Sequence, residues 1–290
     1  SAWAIDTSGV WYPRQRSITL NGQPFREYVV TSLAIDAGDA ASAAAVGPAV
    51  RDSVAISDSV RTAFATRLAA ERAAEDRSGP PRLTPVELGG GVVLYQGGYQ
   101  TAAVRQHDGV VIIEGPESNA KSAAVLADVA ARWPRARVKA VVSTSPMWMH
   151  VGGLREYAAR SIPIYALDVN VPVVRALLSA PHRQVPDSLA RGHGTPILRA
   201  VRARTILGDG AERLELRPAR GQHSSSMMLV WMPAGRLLYA SDVVVPDAFE
   251  PVFTTAYQAE LARIVRREGL DVARVFGEHL PVASWAPRGR

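Results

Sequence analysis

Four side chains able to hold a metal ion follow apolar runs in this 290-residue chain: His150 after VKAVVST, His223 after ERLELRP, Asp242 after RLLYAS and His279 after VARVF. Turns just beyond strand ends are where sites are built, because they project side chains from a rigid scaffold. Neutral imidazole and carboxylate suit Zn²⁺ and similar ions, so convergence of these four groups would make a metal centre. Spacing alone does not decide it, since a single histidine at a strand end is more often structural. His107 in a turn and His182 and His193 in a Pro/Gly-punctuated loop read as solvated, with His193, flanked by glycines, the nearest of the three to a contributor.

The segment STSPMWMHVGG, 143–153, poses the question most sharply. A histidine followed by Val-Gly-Gly suits a loop passing from a strand to a helix, yet Ser145, Met147 and Met149 stand where further ligands would be expected. With His150, Met227 and Met228, the two loop methionines form a soft set that would favour Cu(I). The plainer reading is that they fill an apolar, Met-lined pocket, with Trp148 closing its mouth or packing on a neighbouring loop. GPESNAKS, 115–122, approaches a phosphate-binding loop, but Ala120 replaces the required glycine and Pro116 removes an N–H, so an ordinary strand-to-helix turn is expected. No nucleophile elbow of the G-x-S-x-G type occurs.

The elements that must position these residues follow from periodicity. VVLYQ, TAAVRQ and VVIIEG read as short strands, with Asp108-Gly109 a hairpin turn. Ser118 caps a helix over NAKSAAVLADVAARW, VKAVVST is a buried strand, GGLREYAAR a helix, IPIYAL a strand, and VNVPVVRALLSA a helix capped by Asp168. ARTILG, ERLELRP, SMMLVWMP and RLLYAS form a second strand block, closed by a helix, TTAYQAELARIVRREG, and a strand, LDVARVFGEH. Residues 1–35 read as short strands turning at Asn21-Gly22, and a helix is expected over SDSVRTAFATRLAAERAAEDR. RSGPPRLTP, 77–85, breaks the pattern and divides an N-terminal appendage, 1–85, from a main domain, 86–290. Two mixed sheets with helices imply an α/β (α+β) sandwich, because hairpins are too many for a doubly wound sheet.

Composition excludes several functions. With 47% apolar and 21% charged residues a sizeable core is expected, and no apolar run reaches the roughly 20 residues of a membrane span. The absence of cysteine rules out disulfides, thiolate zinc sites and cysteine nucleophiles. The net charge of +6 comes from scattered arginines interleaved with acids, without the aromatic-studded basic runs of a nucleic-acid binder. Ser1 in place of Met is compatible with a removed export signal.

The order VVIIEGP, helix, VKAVVSTSPMWMHVGGLREYAAR, GQHSSSMMLVWMP, RLLYASD and VFGEHLPV resembles the metallo-β-lactamase superfamily over about residues 86–285. The resemblance implies a four-layer αβ/βα sandwich with a one- or two-metal site at the edge between its sheets. Against the motif T-H-x-H-x-D-H-x-G-G, Thr144 and His150-Val151-Gly152-Gly153 match, while Ser145, Met147 and Met149 replace two histidines and the aspartate. His223, Asp242 and His279 match the later ligands. The metal that needs the two missing histidines is then lost, and the other keeps His150, Asp242 and His279, with His223 as a nearby hydrogen-bonding or fourth-ligand group. Two functions stay open: a hydrolase with at most one Zn²⁺, acting on a small-molecule ester, amide or related bond, or a metal-free binding module, with residues 1–85 packing on the domain or mediating self-association.

Overall fold

The computed structural model describes residues 2–5, 9, 11–20, 23–33, 81–183, 186–243 and 251–285. The chain divides into two compact units, 1–57 and 58–290. In the first, β1 (Ala2–Ile5), β2 (Trp11–Leu20) and β3 (Gln23–Val29) form an antiparallel sheet in the order β1-β2-β3. Leu20 pairs with Gln23, as a hairpin at Asn21-Gly22 requires, although that turn and the helix expected over 57–77 lie outside the described residues. The division by contacts falls after Ser57, earlier than the RSGPPRLTP break. The strand β4 (Thr84–Gly89) starts inside that break, pairing Thr84 with Gln96 and Pro85 with Tyr95.

The second unit holds two sheets. One has seven strands in the order β10-β9-β8-β7-β6-β5-β4, built from β4, β5 (Val92–Gln96), β6 (Thr101–Gln106), β7 (Gly109–Ile113), β8 (Val138–Ser143), β9 (Ile164–Leu167) and β10 (Leu198–Val201). Strands β4 to β7 are antiparallel hairpin partners, whereas β7 to β10 run parallel. The parallel steps need crossovers. These are α1 (Asn119–Arg132), the short pair α2 (Trp148–Val151) and α3 (Leu154–Ala158), and α4 (Val171–Ser179). The other sheet has six strands in chain order: β11 (Thr205–Leu207), β12 (Leu214–Pro218), β13 (Met228–Met232), β14 (Leu237–Tyr239), β15 (Arg274–Phe276) and β16 (Ala283–Ser284). Helix α5 (Pro251–Arg267) crosses from β14 to its parallel neighbour β15.

The alternation of side chains along each strand makes the layers. On β5, Val92 and Leu94 join Val230, Tyr239 and Phe276 of the other sheet in one core, while Val93 and Tyr95 join Val125, Leu154 and Val174 of the helices in a second. On β13, Val230 faces the inter-sheet core while Leu229 and Trp231 pack with Leu261 and Ile264 of α5. The result is helix, sheet, sheet, helix, the expected four-layer αβ/βα sandwich. Each such fully buried side chain contributes about 1.5–3 kcal/mol before entropy is counted.

Local signals behave as physics dictates, with exceptions that are informative. Ser118 is the N-cap of α1, its Oγ accepting from Lys121 N at 3.2 Å. Asp168 does not cap α4. It begins a 3₁₀ turn, accepting from Val169 N at 2.9 Å, and α4 starts three residues later with Pro172 in its first turn. Strand β10 carried no sequence signal because it is an edge strand with two exposed residues, Arg199 and Ala200, and no alternation to read.

A buried acid, Glu215 of β12, is held by Arg204, Arg213 and Arg217, with Arg204 Nη2 at 2.8 Å and Arg217 Nη2 at 2.6 Å. Burial alone would raise its pKa, but the guanidiniums overcome it and lower it from the usual glutamate range to about 2. A lowered folded-state pKa gives stability present above the unfolded value near ~4.3 and lost as pH falls toward the folded one. Glu215→Gln is therefore expected to cost about 3 kcal/mol at neutral pH and little near pH ~2. Urea melts of both proteins at the two pH values check this, and an equal cost at both would refute the electrostatic account.

Candidate metal centre

The ends of β7, β8, β14 and β15 meet at one edge of the two sheets, and each delivers a polar group there. β7 ends in Glu114, fully buried and in the left-handed region at φ 80°. Thr144, after β8, hydrogen-bonds through Oγ1 to Glu114 Oε1 and lies 2.7 Å from Ser241 Oγ, bridging the two sheets. Asp242 follows Ser241, and Glu278 and His279 follow Gly277 beyond β15.

His150 stands at the middle of this group with no exposed surface. Its Nε2 is 2.7 Å from Asp242 Oδ2 and 2.7 Å from Glu278 Oε2, and its Nδ1 is 3.1 Å from Glu114 Oε1. The Val-Gly-Gly that follows explains how the imidazole is placed. A Cβ on Gly152 would collide with the Glu117 carbonyl, and one on Gly153 with Ser122 Oγ, so only glycine lets α2 and α3 sit against the 115–118 turn. That turn spends its N–H groups on the same contact: Gly115 N donates to His150 O at 3.1 Å and Glu117 N to Met149 O at 3.1 Å. GPESNAKS is therefore no phosphate cradle, and Lys121 turns away to donate to the Gly97 and Tyr99 carbonyls at 2.9 and 2.6 Å.

The charges are crowded. Burial opposes protonation of His150, but Glu114, then Asp242 and Glu278, hold its pKa well above the ordinary histidine value. Burial likewise opposes ionisation of Asp242, yet His150 and His279 keep its carboxyl below the usual range. Glu278 goes the other way: burial, reinforced by Glu114 and Asp242 against the pull of His150, raises it to about 8. Three buried carboxyl groups around one imidazole leave the cluster short of positive charge.

Among the described residues, His150, Asp242 and Glu278 form a group whose ligand atoms all lie within 4.8 Å of one another. Asp242 Oδ1 and Glu278 Oε1 are buried there without a hydrogen-bond partner. One imidazole and two carboxylates is a donor set that fits a divalent ion such as zinc. His279 lies at the rim, its Nε2 3.5 Å from both Asp242 Oδ1 and Glu278 Oε2, and stacks edge-on against Tyr99, which in turn meets Trp148.

The other sequence candidates are distributed differently. His223 is exposed, its N–H donates to Glu260 Oε2 at 3.0 Å, and its ring tilts on Tyr257 at 5.3 Å. Ser145 is buried, with Oγ accepting from Met147 N at 3.4 Å. Met147 is 45% exposed, Met227 packs against α5 and Met228 points into the inter-sheet core, so the thioethers are not gathered around one point as a copper site would need. Trp148 is 52% exposed and meets Tyr99 edge-on at 5.2 Å. Glu278 and Glu114 were not among the sequence candidates. Glu114 had a signal, a carboxylate directly after the fully buried run VVII.

Solved structures bear on this arrangement. The chain is similar to a metallo-β-lactamase from Pontibacter korlensis, 16% identical with TM-score 0.54 over 70% of this chain and 94% of that one. It is also similar to the DIM-1 metallo-β-lactamase, at 15% identity and TM-score 0.54 over 70% and 92%. A metallo-β-lactamase from Erythrobacter litoralis, at 14% and 0.53, covers 70% and 91%. No protein-family model matches the sequence, and no curated protein does. The class is thus defined at the level of fold: the described residues of the second unit adopt the metallo-β-lactamase sandwich, with a candidate His-Asp-Glu metal group at the edge between the sheets.

Proposed function

We propose that this chain is a hydrolase of the metallo-β-lactamase type that works with a single zinc ion, held by His150 Nε2, Asp242 and Glu278, on a small-molecule ester, amide or related bond. The observation that carries the reading is the group of three ligand atoms within 4.8 Å of one another, with carboxylate oxygens buried and unsatisfied beside them. Held by His150, Asp242 and Glu278, an ion would supply Lewis acidity and activation of water at this point. His150 must be neutral at Nε2 to serve as a ligand, so uptake releases a proton and tightens as pH rises. Glu114, 3.1 Å from Nδ1, then keeps the remaining N–H on that nitrogen and fixes the ring. Asp242, with one oxygen toward His150 and the other toward His279, is placed to take a proton from a nucleophile and pass it to the rim. A second ion lacks donors, since a hydroxyl at Ser145 and thioethers at Met147 and Met149 hold zinc poorly.

Elemental analysis of protein purified without chelator, with melting curves in added zinc, tests the proposal. The expected result is one zinc per chain and a melting temperature raised by several degrees at saturating metal. Metal-free protein that zinc does not stabilise would overturn it. One observation favours a second reading, a metal-free binding module. His150 Nε2 already contacts both carboxylates at 2.7 Å, so an imidazolium takes the place of the ion. In that case zinc leaves the melting curve unchanged and His150→Ala unfolds the site.

A further inference from the structure

Away from the His150 group, the second sheet carries a cleft of about 370 Å³ lined by Arg204, Arg217, Arg220, Arg267, Pro218 and Glu268. The arginines come from three places in the fold: Arg204 before β11, Arg217 and Arg220 at and beyond the end of β12, and Arg267 at the last turn of α5. Arg204, Arg213, Arg217 and Arg267 are four guanidiniums on two carboxylates, Glu215 and Glu268, and Arg220 adds a fifth positive charge at the cleft. Arg217 is fully spent, with Nε and Nη2 on Glu215 and Nη1 on Glu268 at 2.7 Å.

The others are not. Arg204 gives Nε and Nη2 to Glu215, Arg267 gives Nε to Glu268 and Nη2 to the Ala219 carbonyl, and Arg220 gives Nη2 to the Arg202 carbonyl. Arg204 Nη1, Arg267 Nη1 and Arg220 Nε and Nη1 have no protein acceptor among the described residues. Arg220 also sits in the left-handed region at φ 50°, a conformation a long side chain rarely adopts.

We propose that this cleft is a binding site for a small phosphate-bearing ligand, a phosphomonoester or a diphosphate. Guanidinium forks match phosphate oxygens with paired, charge-assisted hydrogen bonds. The excess positive charge is offset by a dianion, and the volume lies in the range of small-ligand sites. No aromatic ring lines the cleft, so bases of a nucleic-acid strand have nothing to stack on. The site is independent of the metal reading, because none of its residues belongs to the His150 group.

Calorimetric titration of the whole chain with pyrophosphate at constant ionic strength tests it, with parallel melting curves. Saturable one-to-one binding is expected, weakened about 100-fold in the Arg220→Gln/Arg267→Gln double variant, from the loss of two charge-assisted contacts. Both side chains are substantially exposed, so the unliganded melting temperature should stay where it is. Arg220→Lys keeps the charge without the fork and should fall between. Exposed Arg160→Gln, which pairs with Glu156 away from the cleft, should bind as the parent does. The double variant retains His150, Asp242 and Glu278, so pyrophosphate held there persists in it and the difference reports the cleft alone. Absence of saturable binding, or equal affinity in the double variant, overturns the proposal. So does a thymidine oligonucleotide that binds more tightly than pyrophosphate and gains affinity with length.

Discussion

Glu278→Gln is expected to weaken the proposed zinc binding by about 10²-fold or more while leaving the metal-free fold intact. The side chain has no exposed surface, and both its oxygens lack a hydrogen-bond partner although Oε2 lies 2.7 Å from His150 Nε2. Glutamine keeps the shape and can accept from His150, but it removes one of the two anionic donors an ion would have. Carboxamide oxygen is a weak ligand beside carboxylate, so zinc affinity should fall by 10²-fold or more. Because burial raises the Glu278 carboxyl to about 8, it is largely neutral at pH ~7 without metal, and a neutral glutamine should not weaken the metal-free protein. Zinc titrations followed by calorimetry, with melting curves of both proteins in chelator, check both halves. Undiminished zinc binding in the variant would move the ion away from Glu278 and toward His279, with His150 and Asp242, the set that the family resemblance implies.

Arg155→Ala is the largest stability loss anticipated. The guanidinium is 2% exposed and forks onto Asp187, with Nε 2.5 Å from Oδ2 and Nη2 2.9 Å from Oδ1. Its Nη1 lies 2.9–3.0 Å from the Leu177, Leu178 and Ala180 carbonyls at the C-terminal end of α4, where Leu177 O also accepts from Ala180 N. Asp187 is correspondingly held below the usual carboxylate range, chiefly by Arg155, and also accepts from Ala190 N and Asn119 Nδ2. One side chain therefore ties α3, the end of α4 and the loop near 187 together. Removing it strands a largely buried carboxylate and several carbonyls and leaves a cavity, at about 3–5 kcal/mol. For a unit of this size that is roughly a 10 °C drop in melting temperature. Arg155→Lys should recover only part of it, since one ammonium cannot reach both partners. A loss below about 1 kcal/mol in denaturant melts would show that the pair is as expendable as a surface ion pair.

Much of the scaffold was legible because its rules are local. The run VVLYQ alternates between two cores, so its two-sided apolar character announces a strand covered on both faces. Ser118 caps α1 because a short side-chain oxygen can reach an N–H three residues on. Where tertiary contacts outweigh local preference, the reading slipped. Asn170, at the start of α4, gives its side chain to the Ser226 carbonyl rather than to the helix, and Asp168 serves a 3₁₀ turn instead. Arg155, in GGLREYAAR, carries no mark in the sequence of being the most deeply committed charge in its layer.

The site divides the same way. His150, Asp242 and His279 were visible as ligand-type residues at strand ends, and the structure does bring His150 and Asp242 within 2.7 Å. Glu278 was hidden by its neighbour: both lie in the bend that follows β15, and sequence does not say which of two adjacent polar groups in a bend is buried. Packing decides it, with Glu278 fully buried against His150 and His279 at the rim beside Tyr99. His223 was equally well placed along the chain, yet its backbone is held by Glu260 of α5 and its ring by Tyr257. By itself, then, the sequence determined the order of elements, the alternating faces and the residue types at each strand end, all properties of neighbours along the chain. Which of those residues share one buried point was decided only by the tertiary structure, because that depends on distances between strand ends tens of residues apart.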